Sequence, residues 1–391
     1  MGRRQLEIVM SEGILRVIGL MSGTSMDGID VALVETDGEI IHRLGPAGFH
    51  PYDTADRALL RRAIATATTL TDRDARPDEL ADAEDMVTHR HIRAIDSFLS
   101  SCQFNPGEVD LIGFHGQTVL HRPEAGLTVQ IGDGQKLATH VGVPVVYDFR
   151  AADVAVGGQG APLVPLFHRA LVRAADLDGP VAVLNLGGVA NVTYVESADD
   201  NVLIACDTGP ANALIDDFML KRTGIPIDRG GVHASQGKVN ESVVSGLMHN
   251  AFFLLPPPKS LDRNAFDLPD LSALSVEDGA ATLTEFSARA VAHIVPLLPH
   301  APRLWIVCGG GAHNAELVRR IGANTGAKVI VADDLGWSGD AMEAQAFAYL
   351  AVRSLRGLPL TLPGTTGVAA PTTGGVLAEP AAEAELAAVV P

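Results

Sequence analysis

Apolar runs broken by glycine turns open the chain. LRVIGL, Leu15 to Leu20, predicts a strand, and the glycine-rich turn MSGTSMDG follows it. IDVALVET, Ile29 to Thr36, is apolar nearly throughout and predicts a buried strand rather than a half-exposed one. Asp37 and Gly38 give a hairpin signal ahead of Glu39, Ile40 and Ile41. The opening is therefore a β-meander with a glycine-rich tip. From about Arg57 to Ser101 the apolar positions recur at helical spacing, predicting two helices with a break near Thr69 to Pro77. Short strands are expected at Asp110 to Gly116, in LTVQIG and in VPVVYDF, with a helix from Asp133 to Val141. GGQGAPL, Gly157 to Leu163, reads as a loop and Pro165 to Ala175 as a helix.

The opening grammar then returns. VAVLNLGG, Val181 to Gly188, is an apolar strand that ends in a glycine turn, and VANVTYVES follows as another strand. This internal similarity predicts two similar α/β halves meeting near residue 176. A strand into CDTGPAN, Cys206 to Asn212, leads to a helix over Ala213 to Lys221. Further helices are expected around Val239 to His249 and Leu283 to Leu298. The strand Arg303 to Gly310 ends in GGGAHN and enters a helix from Ala315 to Ile321, and a last strong helix covers Asp340 to Leu355. The expected boundaries are 14–175 for a first lobe, 176–380 for a second and 381–391 for a frayed tail.

Composition narrows the class. With 391 residues, 47% of them hydrophobic and 19% charged, the chain is globular and long enough to bury a large core. A net charge of −18 argues against nucleic-acid partners and against an anionic membrane surface. Cys102, Cys206 and Cys308 are too few and too far apart for a disulfide framework or a zinc site, which points to reduced thiols in the cytoplasm. No stretch reaches the roughly 20 apolar residues that cross a bilayer. Glu7 and Glu12 interrupt any secretory apolar region, so residues 1 to 13 read as a short extension.

The candidate chemistry lies in the turns. GTSMDGID, Gly23 to Asp30, offers backbone N–H groups and hydroxyls to one spot, as a phosphate-holding loop does, or it is an ordinary hairpin tip. It is neither a Walker A loop nor GxGxxG. Asp27 in such a loop calls for a divalent cation between it and a phosphate. LNLGGVANVT, with Gly187, Gly188 and Asn191, is a second such turn. GGGAHN, with Gly309, Gly310, Gly311 and Asn314, is either a platform for a flat ring such as a purine or a tight strand–helix turn. Asp207, straight after a strand, is a general-base candidate or a helix cap. Glu343 on an apolar helix is either held in a site or reaching for solvent. HGQT (His115, Gln117, Thr118), Arg150 of DFR, and Gln159 and Gly160 of GGQG supply hydrogen-bonding groups suited to a polyol or carboxylate, although His115 by itself reads equally as a structural histidine.

Together, GLMSGTSMDGID, GFHGQT, TVQIGD, DFRAADVAVGGQGAPLVP, LNLGGVANVT, CDTGPANALID, CGGGAHN and PGTTGVAAPTTGGVL resemble, in order from Val17 to Pro380, the anhydro-N-acetylmuramic acid kinases of the actin, hexokinase and sugar-kinase superfamily. The resemblance implies an α/β fold of two similar actin/hexokinase-like lobes, mixed sheets flanked by helices, with an interdomain cleft. It implies ATP, Mg²⁺, water and an anhydro amino sugar as small-molecule partners, in peptidoglycan recycling, with a homodimer compatible with the fold. Asp207 would be the base that activates water and Glu343 would assist near the anomeric carbon. Gly23, Thr24, Ser25, Met26, Asp27, Gly28, Ile29 and Asp30 would bind phosphates, with Asp27 reaching Mg²⁺ indirectly, and the two later glycine turns would complete the ATP site. Arg150 would meet the lactyl carboxylate. The alternatives are a sugar kinase of related fold acting on a non-anhydro substrate and an actin-type nucleotide-binding polymer or chaperone, against which the polar groups of HGQT, DFR and GGQGAPL count. The three glycine turns contain no Lys or Arg, so phosphate binding would lean on backbone amides and Mg²⁺.

Overall fold

The computed structural model describes residues 13–196, 199, 202–262 and 265–381; the extension before residue 13 and the tail beyond 381 lie outside them. The chain forms β1 (Leu15–Ser22), β2 (Gly28–Thr36), β3 (Ile41–Pro51), α1 (Thr54–Ala67), α2 (Glu79–Cys102), β4 (Leu111–Arg122), β5 (Leu127–Ile131), α3 (Gly134–Val141), β6 (Val145–Tyr147), α4 (Ala151–Ala155) and α5 (Pro165–Ala174). It continues with β7 (Val181–Leu186), β8 (Val189–Val195), β9 (Leu203–Pro210), α6 (Ala213–Thr223), α7 (Val232–Gln236), α8 (Glu241–Met248), α9 (Val276–Ala292), β10 (Leu304–Cys308), α10 (Ala315–Thr325), β11 (Lys328–Val331), α11 (Met342–Leu355) and β12 (Val376–Ala378).

Contacts divide the chain into one unit made of residues up to Ala174 with those from Ala341 on, and a second of Ala175–Asp340. The two sheets repeat one plan. In the first unit β6, β4, β1, β2 and β3 lie side by side; in the second, β11, β10, β7, β8 and β9 do. In each, an antiparallel hairpin with a glycine tip pairs on one side with a third antiparallel strand and on the other with parallel strands. The similarity of the two halves is thus a shared topology.

The grouping of 176–380 into one lobe is corrected by α11, which packs on β1, β2 and β4 of the first unit. The reason is steric. Gly19 on β1 and Gly113 on β4 are register partners. A Cβ on Gly19 would stand 1.8 Å from the Ala344 carbonyl oxygen, and one on Gly113 would stand 2.1 Å from that of Phe347. Two missing side chains make a trough in which the helix backbone rests on the sheet. The opposite face of the sheet carries Ile18, Leu20, Val31 and Ile112, buried under α1, α2 and α3. Arg353 donates to the Gly38 carbonyl at 2.7 Å and ties the far end of α11 to the β2–β3 turn.

β4 and α9 have bounds unlike the expected ones. β4 runs on to Arg122 because Gly116, at φ +70°, redirects it from β1 toward β5, with Gln117 opposite Ile131. α9 starts earlier, at the Ser275 cap that accepts from Asp278 N–H, and ends at Ala292 because Pro296 has no N–H to return to that carbonyl.

Gly19→Ala is expected to destabilise the protein by about 3 kcal/mol or more, through overpacking against an unyielding helix backbone. Gly107→Ala, where nothing lies within 4 Å of the added carbon, is the control. Urea unfolding of both variants checks this; equal midpoints would mean that α11 yields freely.

Candidate active site

The turn after β1, the middle of β4 and the first turn of α11 enclose a cavity of about 390 Å³ within the first unit. Ser22, Thr24, His115, Thr118, Arg150 and Glu343 all line it. It lies at the carboxyl end of β1, where the parallel pairing of β1 with β4 stops, the edge at which open α/β sheets bind ligands. Strand alternation explains the grouping. His115 follows Gly113 by two residues and so shares its face of β4, and its ring packs 4.6 Å from that of Phe347, one helical turn beyond Glu343.

His115 is buried. Its Nδ1 is 2.8 Å from the Gly116 carbonyl, and its Nε2 accepts from Arg150 Nε at 3.0 Å. The ring is therefore neutral, protonated at Nδ1. Burial, then the Arg150 charge, holds its pKa well below the usual imidazole range. Arg150 also donates to the Gly160 carbonyl at 2.7 Å. Glu343 has solvent access, yet the protein atoms crowded around its carboxyl raise its pKa, an effect that the Arg150 charge partly offsets.

Other expected contacts take supporting positions. Gln117 is fully buried; its Oε1 accepts from Ser22 Oγ at 2.5 Å and its Nε2 donates to the Gly23 carbonyl at 3.0 Å. It braces the turn rather than facing the cavity. Gly160 is buried, its N–H bonded to Asp153 Oδ1 at 2.6 Å, while Gln159 bonds through its backbone to Thr366 and His121. In the turn itself Thr24, Ser25 and Asp27 are exposed, and Ser25 Oγ donates to Asp27 Oδ1 at 2.6 Å. Met26 sits at φ +54° and Met26 N–H closes the turn on the Gly23 carbonyl. Gly28 and Ile29 are buried in the hairpin and Asp30 is half-buried, so the exposed part of the expected loop is its tip.

In the second unit Asp207 stands on β9 opposite Asn191 on β8. Its Oδ1 accepts from Asn191 Nδ2 at 2.9 Å and its Oδ2 from Leu261 N–H at 2.7 Å. Burial raises its carboxyl pKa, and the two hydrogen bonds hold it back. The Gly187–Gly188 carbonyls bond to the amides of Ala211, Asn212 and Ala213, which ties this turn to the start of α6. A cavity of about 460 Å³ opens beside Gly310 and Asn314, with Asn212, Asp228 and His313 also on its wall. Its size falls within the roughly 300–1,000 Å³ of small-molecule sites. Gly309 and Gly311 instead press on Asn185 and Leu186, where a Cβ would come within 2.2 and 2.6 Å.

The family model for anhydro-N-acetylmuramic acid kinase matches residues 15–380. The chain belongs to the anhydro-N-acetylmuramic acid kinase family. A relative of that name from Rhodopseudomonas palustris is 57% identical over 367 residues, covering 94% of this chain and 100% of its own. Another from Methylobacterium nodulans is 54% identical over 376 residues, covering 94% and 100%. In this kinase-family chain, motif reading missed Ser22, His121 and Ala161 on the first cavity, and Asn212, Asp228 and His313 on the second. Ser22, Ala161, Asn212 and His313 lay inside the quoted motifs MSGTSMDG, GGQGAPL, CDTGPAN and GGGAHN, where their side chains could have been weighed, whereas His121 and Asp228 lay in none.

Arg150→Met removes the cation that, after burial, most depresses His115. His115 is therefore expected to protonate at a higher pH than in the parent, followed by NMR titration of its ring. A titration point that stays put or falls would mean that the guanidinium does not act on the ring.

Proposed function

We propose that the protein transfers the γ-phosphoryl group of ATP to O6 of 1,6-anhydro-N-acetylmuramic acid as water opens the anhydro bridge, yielding N-acetylmuramic acid 6-phosphate and ADP. Besides the family membership, one observation carries the reading: a single cavity combines a hydroxyl-rich glycine turn with His115, Thr118, Arg150 and Glu343. Groups suited to a phosphate and groups suited to a sugar thus line the same cavity. The reaction belongs in the cytoplasm, where ATP is. Among the described residues no helix is long and apolar enough to cross a membrane.

Water attacks C1 and Asp207 takes its proton, so the C1–O6 bond breaks as the C1–OH bond forms. The electron pair released onto O6 attacks the γ-phosphorus, and the bond to the ADP oxygen breaks. Coupling the two events avoids a free alkoxide. Asp207 suits the task because burial makes it a stronger base than an exposed aspartate. Glu343 supports charge near C1, and Arg150 meets the lactyl carboxylate. The amides and hydroxyls of Gly23–Asp27 hold the phosphates, and the second-unit cavity takes the nucleoside.

Mg²⁺ fits the exposed tip. Asp27 and Ser25 offer hard oxygen donors. Among the described residues no group of three or more His, Cys, Asp or Glu could hold a metal by itself. Asp27, through water, would hold the ion together with the nucleotide; when bound, it supplies charge neutralisation on the phosphates.

ADP release is expected only when the anhydro sugar is present; equal release without it would favour the polymer or chaperone reading. Asp207→Asn should lower turnover by roughly 10²- to 10⁴-fold with an unchanged melting temperature. Near-normal turnover would remove Asp207 as the base. Protonated Asp207 cannot take a proton, and its pKa is raised. Activity should therefore fall on acidification at a higher pH than the ~3.9 of an exposed aspartate would set, read from the pH profile of kcat/KM.

A further inference from the structure

The reading of Asn191 as a nucleotide contact does not account for where its amide goes. Asn191 and Asp207 are register partners across β8 and β9, and the side-chain amide of the one donates to the carboxylate of the other at 2.9 Å. The second oxygen of Asp207 accepts from Leu261 N–H, and the N–H of Asp207 itself bonds to the Lys259 carbonyl at 2.9 Å. The carboxylate is thus held by donors from two different segments, one on each oxygen. We propose that Asn191 is a positioning residue for the reaction, fixing the rotation of the Asp207 carboxylate so that a remaining lone pair faces the attacking water. The inference rests on Asp207 being the base.

Two points favour this role. A carboxylate held by a single donor can turn about its last bond, whereas two donors from separate elements set its plane. Both donors are also uncharged. A lysine or arginine in either place would aim the group equally well, but it would stabilise the ionised form strongly and weaken the base. The cation on the adjoining segment, Lys259, is turned elsewhere: its Nζ donates to the Phe252 carbonyl at 3.2 Å and lies 4.4 Å from the Phe252 ring centroid. Cys206, next to Asp207 on β9, is a neutral thiol pushed up to about 12 by burial. The charged and titratable groups around the base therefore leave its orientation to neutral hydrogen bonds.

The test compares Asn191→Ala, the near-isosteric Asn191→Asp, and Asp207→Asn, each as the full chain with ATP, Mg²⁺ and the anhydro sugar. Asn191→Ala should lower kcat by about 10- to 100-fold, the scale of a misaimed catalytic group. Its KM for ATP should stay within about twofold, since a lost transition-state interaction acts on kcat. The acid limb of kcat/KM should move to higher pH in Asn191→Ala, because a donor to the ionised form is lost. It should move further in Asn191→Asp, where two carboxyls share a site. A tenfold or larger rise in KM for ATP with an unmoved acid limb would assign Asn191 to the nucleotide and overturn the proposal. A lower melting temperature with an unmoved limb would make the residue merely structural and overturn it as well. If Asp207→Asn is inactive while both Asn191 variants match the parent, this inference alone fails; if Asp207→Asn is active, the assignment of the base fails first.

Discussion

Everything on the first unit's cavity depends on how closely a helix can lie on a sheet. Gly19 and Gly113 are neighbours on parallel strands, and the backbone of α11 occupies the space where their side chains would be. The helix meets that trough with Ala344, Ala348 and Ala351, three small residues on one face. Because the contact is backbone on backbone, it fixes both the rotation and the height of the helix. Glu343 is then carried to the carboxyl end of β1, where its parallel pairing with β4 stops, and Phe347 becomes the surface on which His115 packs. A larger residue at either glycine would move all three together.

Charge is handled sparingly in both units. A chain with a net charge of −18 presents its exposed β1–β2 tip without Lys or Arg. The cation on the first cavity, Arg150, is committed to His115 and Gly160 and biases Glu343. Asp207 in the second unit is held by an amide and a backbone N–H. Both carboxyls are raised in pKa by the protein atoms around them, and these few partners only partly offset the rise.

Much of this was legible in the sequence, for physical reasons. Strands flanking a glycine turn declare themselves by continuous apolar runs, so both hairpins were expected where they stand. The repeat of LNLGG after LMSGT foretold two alike halves, though not that their strand orders would coincide. The ownership of α11 was illegible because Gly19 and Gly113 lie far apart in the chain and each is unremarked alone; only pairing in register makes them a trough. Gln117 was read as a ligand group because glutamine is polar, whereas its burial under the turn turns it into a brace. Asn191 was assigned by its motif, and the partner that redefines it stands on the next strand. Motifs name the residues of a site well, but they do not say which member touches which.

The discontinuity of the first unit reverses the usual order of assembly during synthesis, in which the part made first folds first. Ala175–Asp340 is continuous and has its strands and helices in hand once residue 340 is made. The first unit, although begun at the amino end, lacks the cover for one face of its sheet until α11 emerges. Gly19, Gly113 and their apolar neighbours must therefore wait through most of translation with that face open, a period in which holding by a chaperone has something definite to protect.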